Sequence, residues 1–434
     1  MKKKIIISIF AVLFIVLLFV GYRIYSFYSL YKQLESLPDS DYKGRFLAKN
    51  NDDNFPDYLI KFMVDKDTKA KLFKFRELLP EKDNLYDREV ADKLVVAAEA
   101  EFSAQNIDDF KQIVPIIKNK MKETKNSVLA SFKESENYPF SPDYFTMKHS
   151  VKYWVIMSRM LEHKKEYETS LLLSHAVLYL TKDYQTDYID SCSFVCRNIS
   201  LNYVDNACNS IMIWASRPKP QCTKLSKEVA KDILDFVNNA YPLSNYVENE
   251  QLMAEDLVDY LIDKGQRIFL GVRKTNYYKK MINLCYKEPM SFIDKPIYEI
   301  KKELENYSEQ HNKLVNTGTL EYVFYYLLSP ETGLAMLWGG LGTLDFAEAK
   351  KSCEASLAKM EMTAIALAIN SFVCEKKEYP KSMDELSEWF GSKLPNNRIT
   401  NEPYELDFKG AHVLFNNSIK DKEFYFDFSI KTVN

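Results

Sequence analysis

The sequence predicts a mainly α-helical protein with an N-terminal transmembrane helix, an irregular α-helical bundle or solenoid-like middle, and a small C-terminal α+β module. Three observations lead to this prediction. Glycine supplies only 11 of 434 residues, and glycine is unfavourable inside helices. Apolar residues recur at helical spacing over most of the chain between Pro56 and Leu314. After Pro395 the apolar residues alternate at period two, which is typical of strands.

The N-terminal segment has the composition of a membrane anchor. Three lysines, Lys2 to Lys4, precede the apolar run Ile5–Gly21, in which Ser8 is the only polar side chain. A helix of this length spans about 25 Å, close to a hydrocarbon core of about 30 Å. Lysines beside a membrane helix stay in the cytoplasm. We therefore expect a single pass through the lipid bilayer at Ile5–Gly21, with the N-terminus cytoplasmic and the bulk of the chain outside.

A cleaved signal peptide is the alternative explanation of this segment. Cleavage needs small residues shortly after the apolar run, and the bulky residues Tyr22, Ile24 and Tyr25 stand there instead. An uncleaved anchor is therefore favoured. The predicted domains are residues 1–36 (anchor helix and stalk), 37–54 (linker), 55–343 (α-helical domain) and 344–434 (helix plus antiparallel sheet).

Two local patterns are the most distinct. Residues 143–183 place apolar side chains on one face of each of two helical stretches, separated by the turn sequence HKKEYE, which predicts a helical hairpin.

Further along, a long helix is predicted from Asp345 to Lys377. A capping box at Ser382–Glu385 then opens a short helix that ends at Phe390. The stretches YELDF, HVLFNN and EFYFDFS predict short antiparallel strands.

The residues IALAINSFVCEKKEYPKSMDEL, followed by LPNN and NEPYEL, resemble the globular part of type II secretion pseudopilins over about residues 364–408. The whole layout also resembles a family of uncharacterised bacterial membrane-anchored helical proteins that carry such a module. This resemblance implies an inner-membrane protein of the bacterial envelope, whose partners are envelope or secretion and pilus-like proteins. Unlike a pilin, the chain has no acid in its apolar run, which lies over 300 residues upstream of the module. Processing or polymerisation as a pilin is therefore not expected.

Seven cysteines follow the anchor, and their spacing defines no disulfide framework. Cys353 and Cys374 lie on one predicted helix, about 31 Å apart, so they cannot bond to each other. Cys192 and Cys196 have the spacing of a ligand pair, but no histidine lies near them in sequence, which disfavours zinc. Buried free thiols are the favoured interpretation, and pairing of some cysteines after export stays open.

No catalytic residue and no cofactor is predicted, because nucleophile elbows, P-loops, HExxH and CxxC motifs are absent from the sequence. The segment GGLGT at 339–343 lacks the lysine of a phosphate loop. The five histidines show no ligand spacing, and His175, set among leucines, is predicted to be a core residue. A net charge of −3 with both signs dispersed gives no footprint for nucleic acid.

One acidic pattern offers an alternative. Glu255, Asp259 and Asp263 are spaced four residues apart and share one helix face. Together with Glu248 or Glu250 they would suit a divalent cation or acid–base catalysis. The opposite stripe is apolar, as in an ordinary amphipathic helix, so a solvated face is favoured. Two hypotheses result: a membrane-anchored extracytoplasmic scaffold or protein-interaction protein, and, as the alternative, an envelope hydrolase or divalent-cation-binding protein that uses carboxylates of residues 248–263.

Overall fold

The structure, a computed structural model, describes only part of the chain. The described residues are 14, 16–22, 25, 32, 154–186, 194–215, 223–240, 242–248, 250–251, 286–315, 345–409, 412–416 and 427–431. The predicted linker at 37–54, the GGLGT segment and all of residues 252–285 lie outside them.

Helices dominate the described residues, which confirms the mainly α class. Beyond shorter helical stretches, the helices are α1 (Tyr167–Thr186), α2 (Phe194–Ala215), α3 (Leu225–Asn238), α4 (Lys301–Val315), α5 (Phe346–Lys376) and α6 (Met383–Phe390). Three strands follow them: β1 (Glu405–Lys409), β2 (His412–Asn416) and β3 (Asp427–Lys431).

The chain forms two compact units. The first comprises Met1–Arg45, Leu243–Lys295 and Ile300–Ala349, and the second comprises Phe46–Pro242, Pro296–Glu299 and Lys350–Asn434.

Aromatic contacts and a helix cap organise the first unit. The rings of Phe292 and Tyr307 meet edge to face at 5.4 Å. Asp345 caps α5: its Oδ1 accepts hydrogen bonds from the backbone N–H groups of Ala347 at 3.0 Å and Glu348 at 3.2 Å. Its second oxygen accepts from the hydroxyl of Ser308 on α4 at 3.0 Å. A carboxylate at this position satisfies N–H groups that the helix itself leaves unpaired.

The predicted helical hairpin is confirmed in the second unit. Residues 154–163 are helical, the chain turns at 164–166, and α1 begins at Tyr167. The turn closes with Lys165 at a φ of 66°, in the left-handed region where glycine is favoured. Trp154 and Leu161 in the first arm and Leu171 in the second are buried.

Helices α2 and α5 run parallel. Lys359 lies 3.4 Å from Asp205. Further along, the Nδ2 of Asn370 donates to the carbonyl of Ala215, the last residue of α2, at 3.4 Å. Because both partners advance in the same direction, the two helices point the same way.

Helix α6 begins and ends as its sequence predicts. The Ser382 hydroxyl accepts a hydrogen bond from the backbone N–H of Glu385 at 3.1 Å. The Glu385 carboxylate reaches back to the N–H of Lys381, one residue before the predicted capping-box partner, at 2.5 Å. Gly391 ends the helix at a φ of 85°, and its N–H donates to the Ser387 carbonyl at 3.0 Å.

The three strands form one antiparallel sheet in the order β1-β2-β3. Leu406 of β1 pairs with Phe415 of β2, which in turn pairs with Phe428 of β3. The chain ahead of β1 is folded tightly around Asn397, which is buried. The Asn397 carbonyl accepts from the N–H of Asn401 at 2.7 Å. Phe424 and Phe426, predicted to share a face with Phe428, lie outside the described residues.

Candidate functional site

The carboxylates predicted as metal ligands, Glu255, Asp259 and Asp263, lie outside the described residues, so their role stays a prediction. Of the two acids suggested with them, Glu248 is exposed and Glu250 is half-buried. Within the ranges that the structure describes, no group of three or more His, Cys, Asp or Glu side chains is placed to hold a metal ion.

A buried ionic cluster joins α5 to the loop ahead of β1. We call Lys350, Glu354, Glu361, Arg398 and Tyr404 the Arg398 cluster. Arg398 donates from Nη1 to Oε2 of Glu354 at 2.9 Å and from Nε to Oε1 of Glu361 at 3.0 Å. The Lys350 Nζ donates to the other Glu354 oxygen at 2.6 Å, and the Tyr404 hydroxyl donates to the other Glu361 oxygen at 3.0 Å. Each of the four carboxylate oxygens therefore accepts a hydrogen bond.

Helical geometry places the three charges of α5 together. Residues advance by about 100° around a helix, so Lys350, Glu354 and Glu361 fall within about 40° of one another. Arg398 lies in the folded segment ahead of β1, next to Asn397, and its side chain is only 26% exposed. Two cations thus meet two anions, a balance that buried charges require.

The pKa directions follow from this arrangement. Burial raises the pKa of Glu361, and the charge of Arg398 opposes that rise. For Arg398, burial by itself lowers the pKa, but Glu354 and Glu361 outweigh it and the net shift is upward. Burial, followed by the charge of Glu361, raises the pKa of Tyr404 well above its ordinary value. Tyr404 therefore keeps its proton and remains a hydrogen-bond donor.

The Arg398 cluster holds the chain ahead of β1 in place against α5. A general acid or base exchanges its proton with a substrate, whereas every carboxylate oxygen here is already engaged by a protein donor. The arrangement ties the segment before the sheet to α5. Sequence reasoning missed these residues; the available signal was the placement of Lys350, Glu354 and Glu361 on one face of α5.

A second polar group lies between α2 and α5. Lys359 is fully buried, and its amine is 3.4 Å from Asp205, a neighbour on α2. The thiol of Cys208 is also buried there. Burial raises its pKa to about 12, although a hydrogen bond with Thr363 and the charge of Lys359 act in the opposite direction. A thiol in this state carries too little thiolate to react.

Four buried serines meet inside the hairpin and α2. The Ser158 hydroxyl donates to the Ser170 carbonyl at 2.8 Å and lies 2.7 Å from the Ser174 hydroxyl. Ser174 donates to Ser210 of α2 at 2.9 Å. Such short side chains let three helical segments approach closely while their hydroxyls satisfy one another.

The surroundings of one histidine and three cysteines can be compared with the sequence predictions. His175 is buried with its Nε2 3.8 Å from a carboxylate oxygen of Asp232, which confirms the prediction of a core histidine. Cys208 and Cys353 are buried and belong to no disulfide. Cys374 is disulfide-bonded. Cys353 and Cys374 therefore do not bond to each other, as predicted, but the expectation of a free thiol is wrong for Cys374.

Large exposed apolar side chains concentrate near the N-terminus. Val16, Leu17, Leu18, Phe19 and Val20 are consecutive helical residues, and each is between 38% and 64% exposed. Five consecutive positions cover the whole circumference of a helix. Among the described residues, the one such side chain outside this region is Tyr298, at 40%.

Within the described residues, one helix is long and apolar enough to cross a membrane by length and composition, and that helix is α5. Its apolar window is 89% buried inside the protein. The same helix holds Lys359, Glu361 and Asn370 against polar partners in the second unit. These contacts are typical of the core helix of a folded domain.

Comparison of the chain with protein-family models, with curated proteins and with solved structures finds no match.

Proposed function

We propose that the protein is a membrane-anchored, extracytoplasmic scaffold or protein-interaction protein of the bacterial envelope. The observation that supports the anchor is the apolar exposure of Val16–Val20 on every side of a helix. A surface helix of a water-soluble domain exposes a polar face, and this segment has none. Transfer of each such side chain out of water is favourable by about 1.5–3 kcal/mol.

The orientation follows from the charges beside the anchor. Lys2, Lys3 and Lys4 precede the apolar run, and lysines flanking a membrane helix are retained on the cytoplasmic side. The remainder of the chain then lies outside the inner membrane. The disulfide at Cys374 supports this side of the membrane, because disulfides persist in oxidising compartments.

Polar side-chain contacts join the hairpin, α2, α5 and the chain ahead of the sheet into what we call the platform of the second unit. The hairpin packs on α2 through the serine contacts, and Lys359 and Asn370 join α2 to α5. The Arg398 cluster then fixes the chain entering the sheet. We propose that the module formed by α5, α6 and the sheet is pseudopilin-like, and that it presents a docking surface to an envelope or secretion protein.

Membrane extraction and protease protection test the anchor. We expect the full chain to resist alkaline carbonate extraction, and a tag after Asn434 to be digested by protease added to spheroplasts. Leu17→Arg with Leu18→Arg should release the chain, because each arginine at the centre of a membrane helix is unfavourable by about 2.5–3.5 kcal/mol. Tyr298→Arg, which changes another exposed large apolar residue, is the matched control and should remain membrane-bound.

Crosslinking in intact cells tests the scaffold role. The expected result is a specific envelope protein joined to the wild-type chain. Loss of that product in a variant truncated before Glu405 would assign the contact to the sheet. Crosslinked products that contain only this chain, together with a bound metal or hydrolysis of an envelope substrate that depends on Glu255 and Asp259, would favour the alternative function instead.

A further inference from the structure

The two carboxylates of the Arg398 cluster have hydrogen-bond partners of different kinds. Both oxygens of Glu354 accept from cationic groups, Nη1 of Arg398 at 2.9 Å and Nζ of Lys350 at 2.6 Å. Glu361 accepts from Nε of Arg398 at 3.0 Å on Oε1, and from the Tyr404 hydroxyl at 3.0 Å on Oε2. Glu354 therefore contacts two cations, whereas Glu361 contacts one cation and one neutral group.

These partners also differ in whether they can accept a hydrogen bond. Guanidinium and ammonium groups only donate, whereas a tyrosine hydroxyl both donates and accepts, and its hydrogen can rotate. A proton added to a carboxylate turns one of its oxygens from an acceptor into a donor. Among the four contacts of the Arg398 cluster, the one between Glu361 and Tyr404 is the contact that can then be kept, with its direction reversed.

Water has little access to these contacts. Glu361 is 3% exposed, Tyr404 is 2% exposed, and Lys350 is also buried. A buried donor that faces another donor loses its hydrogen bond and is left unpaired, which is unfavourable. A proton on Glu354, or on the Glu361 oxygen that faces Arg398, would place two donors against each other. A proton on Oε2 of Glu361 does not.

The charges of the cluster favour the same position. Among the described residues, the charged and titratable groups around the Glu361 carboxylate are Arg398 and Tyr404, from the chain ahead of β1, and Glu354, from its own helix. Lys350, on the same helix, pairs with Glu354. Burial raises the pKa of Glu361, Arg398 and the hydrogen bonds oppose the rise, and the charge of Glu354 adds to it.

We infer that the Arg398 cluster takes up its first proton on Oε2 of Glu361, which then donates to the Tyr404 hydroxyl oxygen, so that the chain ahead of β1 stays attached to α5 in acid. The step forms one O–H bond with a proton from solvent and breaks no bond within the protein. The tyrosine hydrogen rotates away from the carboxyl group. The hydrogen bonds from Arg398 and Lys350 remain, and the cluster gains one positive charge.

Acid tolerance of this attachment is of most use to a chain outside the inner membrane, so its benefit to the cell rests on the proposed function. The inference itself rests on contacts inside the second unit, and the purified chain is sufficient to test it. A cytoplasmic location of the chain would contradict the proposed function and leave the site of protonation unaffected.

Glutamine variants of the two carboxylates test the direction of these contacts. In Glu361→Gln the amide mimics the protonated side chain, because its oxygen accepts from Arg398 and its N–H donates to Tyr404. Glu354→Gln is the matched comparison. There the amide N–H must face Arg398 or Lys350, and both of these groups only donate.

Amide hydrogen exchange of the full chain in detergent at neutral pH reports on the attachment. The backbone N–H of Asn401 donates to the Asn397 carbonyl in the segment ahead of β1. Its exchange should be at least about tenfold faster than in the wild type for Glu354→Gln, and within about threefold of the wild type for Glu361→Gln. Exchange that changes equally in the two variants, or that is faster in Glu361→Gln, overturns the inference.

Infrared difference spectroscopy locates the proton and needs no Glu354 variant. A protonated carboxyl group has a carbonyl stretching band that a carboxylate lacks. When the pH of the purified chain is lowered from about 8 to about 5, this band should be weaker in Glu361→Gln than in the wild type. In Tyr404→Phe it should move to higher wavenumber, because the carboxyl group loses a hydrogen-bond partner. An equally strong band in Glu361→Gln, or an unchanged position in Tyr404→Phe, would show that the proton lies elsewhere.

Discussion

The guanidinium of Arg398 bonds to the carboxylate of Glu361 at 3.0 Å, although the two residues are 37 positions apart in sequence. A second bond from the same group reaches Glu354. One side chain thereby fixes the chain ahead of the sheet to the middle of α5. The stability of this attachment can be measured directly.

Replacing Arg398 by methionine should lower the free energy of unfolding by about 3 kcal/mol, because two buried carboxylates lose their shared cation. Urea unfolding of the full chain in detergent, followed by tryptophan fluorescence, measures the change. Lys393→Met, at an exposed position nearby, is the control and should change stability by less than about 0.5 kcal/mol. A loss below about 1 kcal/mol for the Arg398 variant would mean that the cluster contributes no more to the free energy of unfolding than an exposed ion pair does.

Glu361→Gln should alter how stability depends on pH. The pKa of Glu361 is raised above its ordinary value of 4.5 in the folded chain. The folded state therefore holds this proton more tightly than the unfolded state does. Its contribution is fully present below the unfolded pKa and is lost as pH rises through the folded pKa.

Subtracting the variant from the wild type isolates this contribution. The wild-type free energy of unfolding minus that of the Glu361→Gln variant should decrease as pH rises from about 4.5 and level off once the raised pKa is passed. Urea titrations at a series of pH values provide the measurement. A difference that increases over this interval would mean that the pairing with Arg398 outweighs burial.

Lys377→Gly should stabilise the protein by about 0.5–1 kcal/mol. Lys377 follows the last residue of α5 with a φ of 62°, a left-handed conformation that glycine adopts without steric penalty. Lys376→Gly is the matched control, because that residue is helical and glycine there should destabilise by up to about 1 kcal/mol. Equal effects at the two positions would contradict the conformational explanation.

Ser158→Ala should destabilise the hairpin by about 1–2 kcal/mol, because Ser170 and Ser174 lose a buried hydrogen-bond partner. The exposed Ser392→Ala provides the comparison for removing a serine hydroxyl. Amide hydrogen exchange in α1 should become faster in the Ser158 variant. Unchanged exchange would indicate that the serines contribute only their small size.

Local patterns were sufficient for the helical class and for several boundaries. The long helix expected from Asp345 to Lys377 corresponds to Phe346–Lys376, because apolar spacing, the Asp345 cap and the Tyr379–Pro380 turn all act over neighbouring residues. The hairpin turn and the capping of α6 by Ser382 were predictable for the same reason.

The contacts of Arg398 with α5 could not be predicted, because they join residues separated by 37 to 44 positions, a distance over which spacing carries no information. The disulfide at Cys374 was missed for a related reason: sequence spacing does not show which cysteines the fold brings within bonding distance. The acids Glu255, Asp259 and Asp263 remain an untested prediction.

The offset of 155 residues between Asn370 and Ala215 has a consequence for biosynthesis. A ribosome adding about 5–20 residues per second completes α2 roughly 8–30 s before the helix that covers it has been made. During that interval the side of α2 that packs against α5 remains uncovered. A holding chaperone that shields this surface co-translationally would protect the chain from aggregation until Lys376 has emerged.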